Sequence, residues 1–252
     1  MRIKIFGLFC VAAVIASGHG VLAADMPVKA APLVPIYNWS GFYIGGHAGY
    51  GWAGQRDVAI SPLPQPGFGT LPFNANLNAK GFLGGAQFGW NWQSGRLVYG
   101  VEADLSGTGI NDNQRTLTLP VGAQVTVEEK LKWLGTMRGR IGTTVTDRTL
   151  VYVTGGLAVG NYNLASTYAF IPDVAYPSSR NVTKVGWTLG GGAEFALAGN
   201  WTAKAEYLYF DLGKETLDGL PVPANPPFHV QSEFKLNGHI VRVGVNYKFG
   251  GR

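Results

Sequence analysis

Charge is scarce in this chain. Asp, Glu, Lys and Arg together make 14% of its 252 residues, against roughly a quarter in soluble domains. Cysteine is nearly absent, with Cys10 alone in the first segment, which excludes a disulfide framework and a Cys-ligated metal centre from the body of the protein. Long apolar runs are missing too: beyond the N-terminal segment nothing approaches the roughly 18 residues that a membrane helix needs. What the chain does have is glycine, 37 residues, and aromatics, 12%, a balance too apolar for disorder and atypical of a soluble enzyme.

The N-terminus reads MRIKIFGLFCVAAVIASGHGVLAAD. Arg2 and Lys4 form a positive start, Ile5 to Ala16 an apolar stretch, and Val21-Leu22-Ala23 a small-residue cleavage site, so residues 1–23 are expected to be a cleaved secretory signal peptide. Cys10 does not suit a lipoprotein signal, because Phe9 stands where a small residue is needed. Residues 24–38, with Pro27, Pro32 and Pro35, read as a short extended linker. An exported chain that is rich in Gly and aromatics and has no apolar helix retains one route into a membrane, a β-barrel.

Alternation of apolar and polar residues supports that route over 39–249. Val241, Val243, Val245, Tyr247 and Phe249 form one stripe, with Arg242, Asn246 and Lys248 between them. Seven earlier segments behave alike: WSGFYIGGHAGYGW, GFLGGAQFGWNW, RLVYGVEADLSG, VEEKLKWLGTMRGRIG, LVYVTGGLAVGNYN, GWTLGGGAEFAL and WTAKAEYLYFDL. In the fifth, Gly155, Gly156 and Gly160 blur the period. One greasy face and one polar face over about ten residues is the pattern of a transmembrane strand, and eight strands make a small closed barrel.

The connections agree. QSGR, TDRT and LAGN are tight turns, whereas the stretches near 55–76, 110–125, 168–181 and 216–228 are long, as in a barrel with short periplasmic turns and longer outer loops. Trp39, Trp90, Trp92, Tyr99, Trp201, Tyr247 and Phe249 fall near the short turns or chain ends, where a periplasmic aromatic girdle belongs. The predicted fold is therefore all-β: an eight-stranded antiparallel transmembrane β-barrel integral to the cell outer membrane, its apolar stripes facing lipid.

These residues resemble a family. WSGFYIGGHAGYGW after a Pro/Ala-rich segment, the paired glycines of strands two and six, and the closing VRVGVNYKF are similar to the small outer-membrane β-barrel proteins of alphaproteobacteria. Those surface-antigen, porin-family-like proteins are related in architecture to the OmpA membrane domain. The resemblance implies a C-terminal signal, here Val245, Tyr247 and Phe249, read by the β-barrel assembly machinery. The chain departs from that pattern by adding Gly250-Gly251-Arg252, and a peptidoglycan-binding domain like the one that follows the barrel in OmpA is not expected.

The constellation that carries chemistry is the set of charges on the polar faces: Glu102, Asp104, Lys130, Lys132, Arg138, Arg140, Glu194, Lys204, Glu206, Arg242 and Lys248. Eight strands leave a lumen just wide enough for side chains, so these charges are expected to pair into a polar plug. A narrow ion path is the alternative, with anions favoured because basic residues outnumber acidic ones, seven to four. No catalytic, cofactor-binding or metal residue is assigned. His47 is expected in the lumen and His239 on the lipid side near the outer interface; GGHAGYG precedes no helix and so is no phosphate loop. Despite a net charge of +5, Lys and Arg are spread over the strands, so no nucleic-acid partner is expected. The expected partners are outer-membrane lipid, lipopolysaccharide and the assembly machinery, for a monomer whose function is structural and surface-exposed. A porin-like narrow pore and a loop-mediated receptor or adhesin are the alternatives, the loop ligand being unknown.

Overall fold

The computed structural model describes residues 37–53, 56–63, 73–118, 123–170, 174–220 and 229–250. The signal segment 1–23, linker residues 24–36, the hairpin tips and the last two residues lie outside the described residues. Among the described residues eleven strands follow one another: β1 (Gly41–Ala53), β2 (Arg56–Leu63), β3 (Phe73–Leu77), β4 (Lys80–Ser94), β5 (Leu97–Thr108), β6 (Asn111–Thr118), β7 (Ala123–Thr146), β8 (Thr149–Phe170), β9 (Val174–Ala196), β10 (Trp201–Gly219) and β11 (His229–Phe249).

Eight of them form a ring in the order β1, β4, β5, β7, β8, β9, β10, β11, and β11 pairs back onto β1 from Phe42↔Phe249 to Ala53↔Gly238. Closure matters because an unpaired edge in hydrocarbon leaves backbone groups with no partner. The other three lengthen the wall on one side: β2 pairs with β11 and β3, and β6 with β4 and β7. Much of what the sequence presents as long loops is thus strand, and the hairpins continue the barrel beyond the membrane.

The outward side chains mark where the membrane ends. β7 has 24 residues, about twice the 9–11 that a tilted strand needs to cross. Toward the short turns its outward residues are Met137, Ile141 and Val145; beyond them come Glu128, Lys130 and Lys132. β11 repeats the change, from Val241, Val243 and Val245 to Gln231, Glu233, Lys235 and Asn237. Near the short turns the aromatic girdle is in place, with Trp92 stacked on Tyr99 at 5.8 Å and Trp201 edge-on to Tyr247 at 5.1 Å. Trp39 is an exception to the expected girdle. It is 2% exposed and packs inside the short-turn end with Tyr37, Val98, Leu150, Tyr152 and Ala196.

Two of the register shifts in this sheet adjust the facing. In β7 the register against β8 jumps between Leu131 and Trp133, leaving Lys132 as an extra residue. Such a bulge reverses which parity points inward: Leu134, Thr136, Arg138 and Arg140 are buried below it, Val125, Val127, Glu129 and Leu131 above it. In β10 a second shift between Asp211 and Lys214 passes through Gly213, whose φ of 81° suits a residue without Cβ.

Inside, the wall encloses three layers. The apolar cluster around Trp39 lies at the short-turn end, a charged layer follows, and the outer layer is again apolar, with Leu131, Tyr162, Leu164, Phe210, Phe234 and Leu236 among its buried members. Each such side chain taken from water contributes about 1.5–3 kcal/mol.

Candidate functional site

The charged layer is built from strand alternation, which puts residues two apart on one face. β5 aims Glu102 and Asp104 inward, β7 Arg138 and Arg140, β10 Lys204 and Glu206, β9 Glu194 and β11 Arg242, all buried. Register then sets opposite charges directly across from one another: Glu102↔Arg138, Glu194↔Lys204 and Glu206↔Arg242.

Arg138 is the hub. Its guanidinium lies 2.5 Å from Glu102, 2.9 Å from Asp104 and 3.1 Å from Glu206, while its Nε donates to Thr136 at 2.9 Å. Arg242 bridges Glu206 at 2.6 Å and Asp104 at 3.1 Å, and Lys204 reaches across the lumen to Glu102 at 2.8 Å. Arg140 pairs with Glu194 at 2.7 Å, with its guanidinium 4.3 Å from the centre of the Tyr152 ring. Tyr43 donates to Glu102 at 2.7 Å and Tyr152 to Glu206 at 3.0 Å.

A neutral fringe completes the layer. His47 lies within hydrogen-bond distance of Gln87 at 3.1 Å and Ser106 at 2.8 Å; Gln87 donates to Asn246 at 2.6 Å, and Asn246 to Glu194 at 2.9 Å. Four acids thus meet four bases. That balance is what makes so many buried charges tolerable, since each would be costly without a partner.

The lattice holds eight of the eleven charges expected in the lumen. Lys130 and Lys132 are corrections: both are exposed on the outer surface, because the bulge at Lys132 resets the parity of β7. Lys248 does point inward, but it sits at the short-turn end, donating to the Asn38 carbonyl and lying 4.7 Å from the centre of the Tyr37 ring. There burial, then the Glu194 carboxylate, pushes the Tyr37 phenol up to about 12. The expected excess of basic charge, and with it the anion preference, disappears from the lattice. Val245, Tyr247 and Phe249 face outward beside β1.

Tyr43, Tyr152 and Thr136 are members that the sequence reading missed. Their signal was parity alone, each sharing the inward face of its strand. His239 lies on the outer face as expected, 2.6 Å from the Tyr207 hydroxyl and stacked on Trp52. Among the described residues no cluster of His, Cys, Asp or Glu could hold a metal ion.

Comparison with known proteins agrees with this architecture. The outer membrane protein beta-barrel domain family matches residues 16–249. The 31 kDa outer-membrane immunogenic protein of Brucella melitensis biotype 1 is 40% identical over 238 residues, covering 90% of this chain and 93% of that protein. A 22 kDa outer membrane protein of Rhizobium leguminosarum bv. viciae is 31% identical over 188 residues, covering 75% and 71%. In fold, the outer membrane protein OprG from Pseudomonas aeruginosa superposes with a TM-score of 0.53 at 14% identity, over 84% of this chain and 97% of that one. With a closed eight-stranded ring, a lipid-facing apolar band and these relatives, the chain belongs to the outer membrane protein beta-barrel domain family and is an outer-membrane β-barrel protein.

Proposed function

We propose that this barrel is a closed structural element of the outer membrane that presents its outer hairpins at the cell surface, and that it is neither an open pore nor an enzyme. The observation carrying this reading is the filled interior: a neutral eight-charge lattice lies between two apolar layers. An ion crossing it would have to break paired charges and then traverse an apolar layer, both unfavourable. The name immunogenic carried by the Brucella relatives accords with hairpins exposed at the surface.

Catalysis fails on access. His47 and Ser106 lie 2.8 Å apart, the spacing of a nucleophile and its base, yet both are buried and Arg242 lies 3.4 Å from the same His47 nitrogen. A monomer exported by residues 1–23 and inserted through recognition of Val245, Tyr247 and Phe249 completes the proposal.

Single-channel recording of the refolded protein in planar bilayers tests it. Silence, or rare small steps, is the expected result. Frequent, stable, large openings would overturn the closed reading in favour of solute passage.

A further inference from the structure

The rim above the lipid band is not uniform. On the β9–β11 flank the lysines are engaged by the protein itself: Lys184 pairs with Glu215 at 2.5 Å, Lys214 with Glu233 at 2.8 Å, and Lys235 is also in contact. On the β4–β7 flank Lys80, Lys130 and Lys132 are exposed and carry no ion pair with any described residue.

These three are held together by register. Lys80 pairs with Asn111, and Asn111 with Lys130. Directly opposed residues share a face, so the two amines stand on one outer row with backbones about 10 Å apart. Lys132, the bulge residue, adds a third cation one step nearer the membrane. Just below lie the lipid-facing Phe82 and Leu105. Glu128, on the same strand, is one row further out and pairs with none of them.

Three exposed cations with no ion-pair partner among the described residues, immediately over an apolar wall, are complementary to an anionic headgroup on a hydrocarbon anchor. We propose that Lys80, Lys130 and Lys132 form a docking site for the phosphate groups of lipopolysaccharide's lipid anchor, whose acyl chains lie against β4, β5 and β7. The proposal rests on the reading of this end of the barrel as the outer one. It makes the β4–β7 flank the lipopolysaccharide-binding side of an otherwise structural barrel.

The test is titration of the full-length refolded protein in phosphatidylcholine nanodiscs with lipid A, in its bisphosphorylated and dephosphorylated forms, at two salt concentrations. Folding of every variant is checked by heat-modifiable gel migration. Each lysine near an anionic surface is worth roughly fivefold in affinity. Lys80→Gln/Lys130→Gln/Lys132→Gln is therefore expected to weaken bisphosphorylated lipid A on the order of a hundredfold. Lys184→Gln/Lys214→Gln/Lys235→Gln should stay within about threefold of the parent, and added salt should narrow the gap.

Equal binding by parent and first triple, equal losses in both triples, or undiminished binding of dephosphorylated lipid A would each overturn the site. A barrel that conducts in planar bilayers while the first triple still loses lipid A would overturn the closed reading and leave this one standing.

Discussion

The same strands run through two regions that are inverted with respect to one another. At membrane level β7 turns Arg138 and Arg140 inward and Met137 and Ile141 outward; beyond the membrane it turns Val125, Val127 and Leu131 inward and Lys130 and Lys132 outward. The exchange follows from what surrounds the wall. Where the outside is hydrocarbon, an apolar interior gains no hydrophobic driving force, because lipid tails are as apolar as leucine, and hydrogen bonds and ion pairs must hold the lumen together. Where the outside is water, burying apolar surface is worth about 25 cal/mol per Å², and the hairpins can have an ordinary core.

The comparison breaks most readily at Arg138. Its guanidinium is fully buried against Glu102, Asp104 and Glu206, so Arg138→Ala leaves acids uncompensated and is expected to cost about 3–5 kcal/mol. Urea unfolding in lipid vesicles, followed by heat-modifiable migration, measures it. A loss below about 1 kcal/mol would mean that water enters the lattice freely.

Phe234, 1% exposed in the outer layer, probes the other region. Phe234→Ala is expected to cost about 3 kcal/mol, confined to the hairpins: protease should cut the outer strands sooner while the membrane band stays protected. Simultaneous loss of both regions would mean that they fold as one unit.

Gly89 sharpens the packing of the charged layer. A Cβ there would collide with the Tyr43 hydroxyl and the Val101 carbonyl, so Gly89→Ala should cost about 1–3 kcal/mol and shift Tyr43 off Glu102, read in Tyr43 fluorescence or ring NMR signals. Gly107→Ala, where a Cβ meets nothing within 4 Å, is the quiet control.

The smallest effect belongs to Glu215 in the outer hairpins. Hydrogen bonds from Lys184 and Arg180 hold its carboxyl below the usual range. A depressed carboxylate stabilises the fold fully above its unfolded value, near 4.3, and that contribution is lost as pH falls through the lower folded value. With Arg180 largely exposed, the effect should be below about 1 kcal/mol. Protease resistance of the hairpins should decline on acidification in the parent and be flat with respect to this group in Glu215→Gln.

By itself the amino-acid sequence determined that the protein is an outer-membrane barrel. A period of two repeated eight times, apolar stripes on each strand and three short turns leave few alternatives once helices are excluded. Nine of the eleven charges expected in the lumen, the eight of the lattice and Lys248, face inward for the same reason, because parity is a local property of an unbroken strand. Only the tertiary structure decided the rest. The bulge at Lys132 is invisible to alternation, since an extra residue is recognised only by the partner strand that fails to match it, and it moved Lys130 and Lys132 from the lumen to the rim. Trp39 went inward because the barrel's short-turn end needed filling. The outer strands were hidden among Pro-rich connections, and their inward apolar residues acquire meaning only when the closed wall defines an inside. Neutrality of the lattice is likewise a property of the ring: eight charges scattered over β5, β7, β9, β10 and β11 become four acids against four bases when closure brings them within 4 Å of one another.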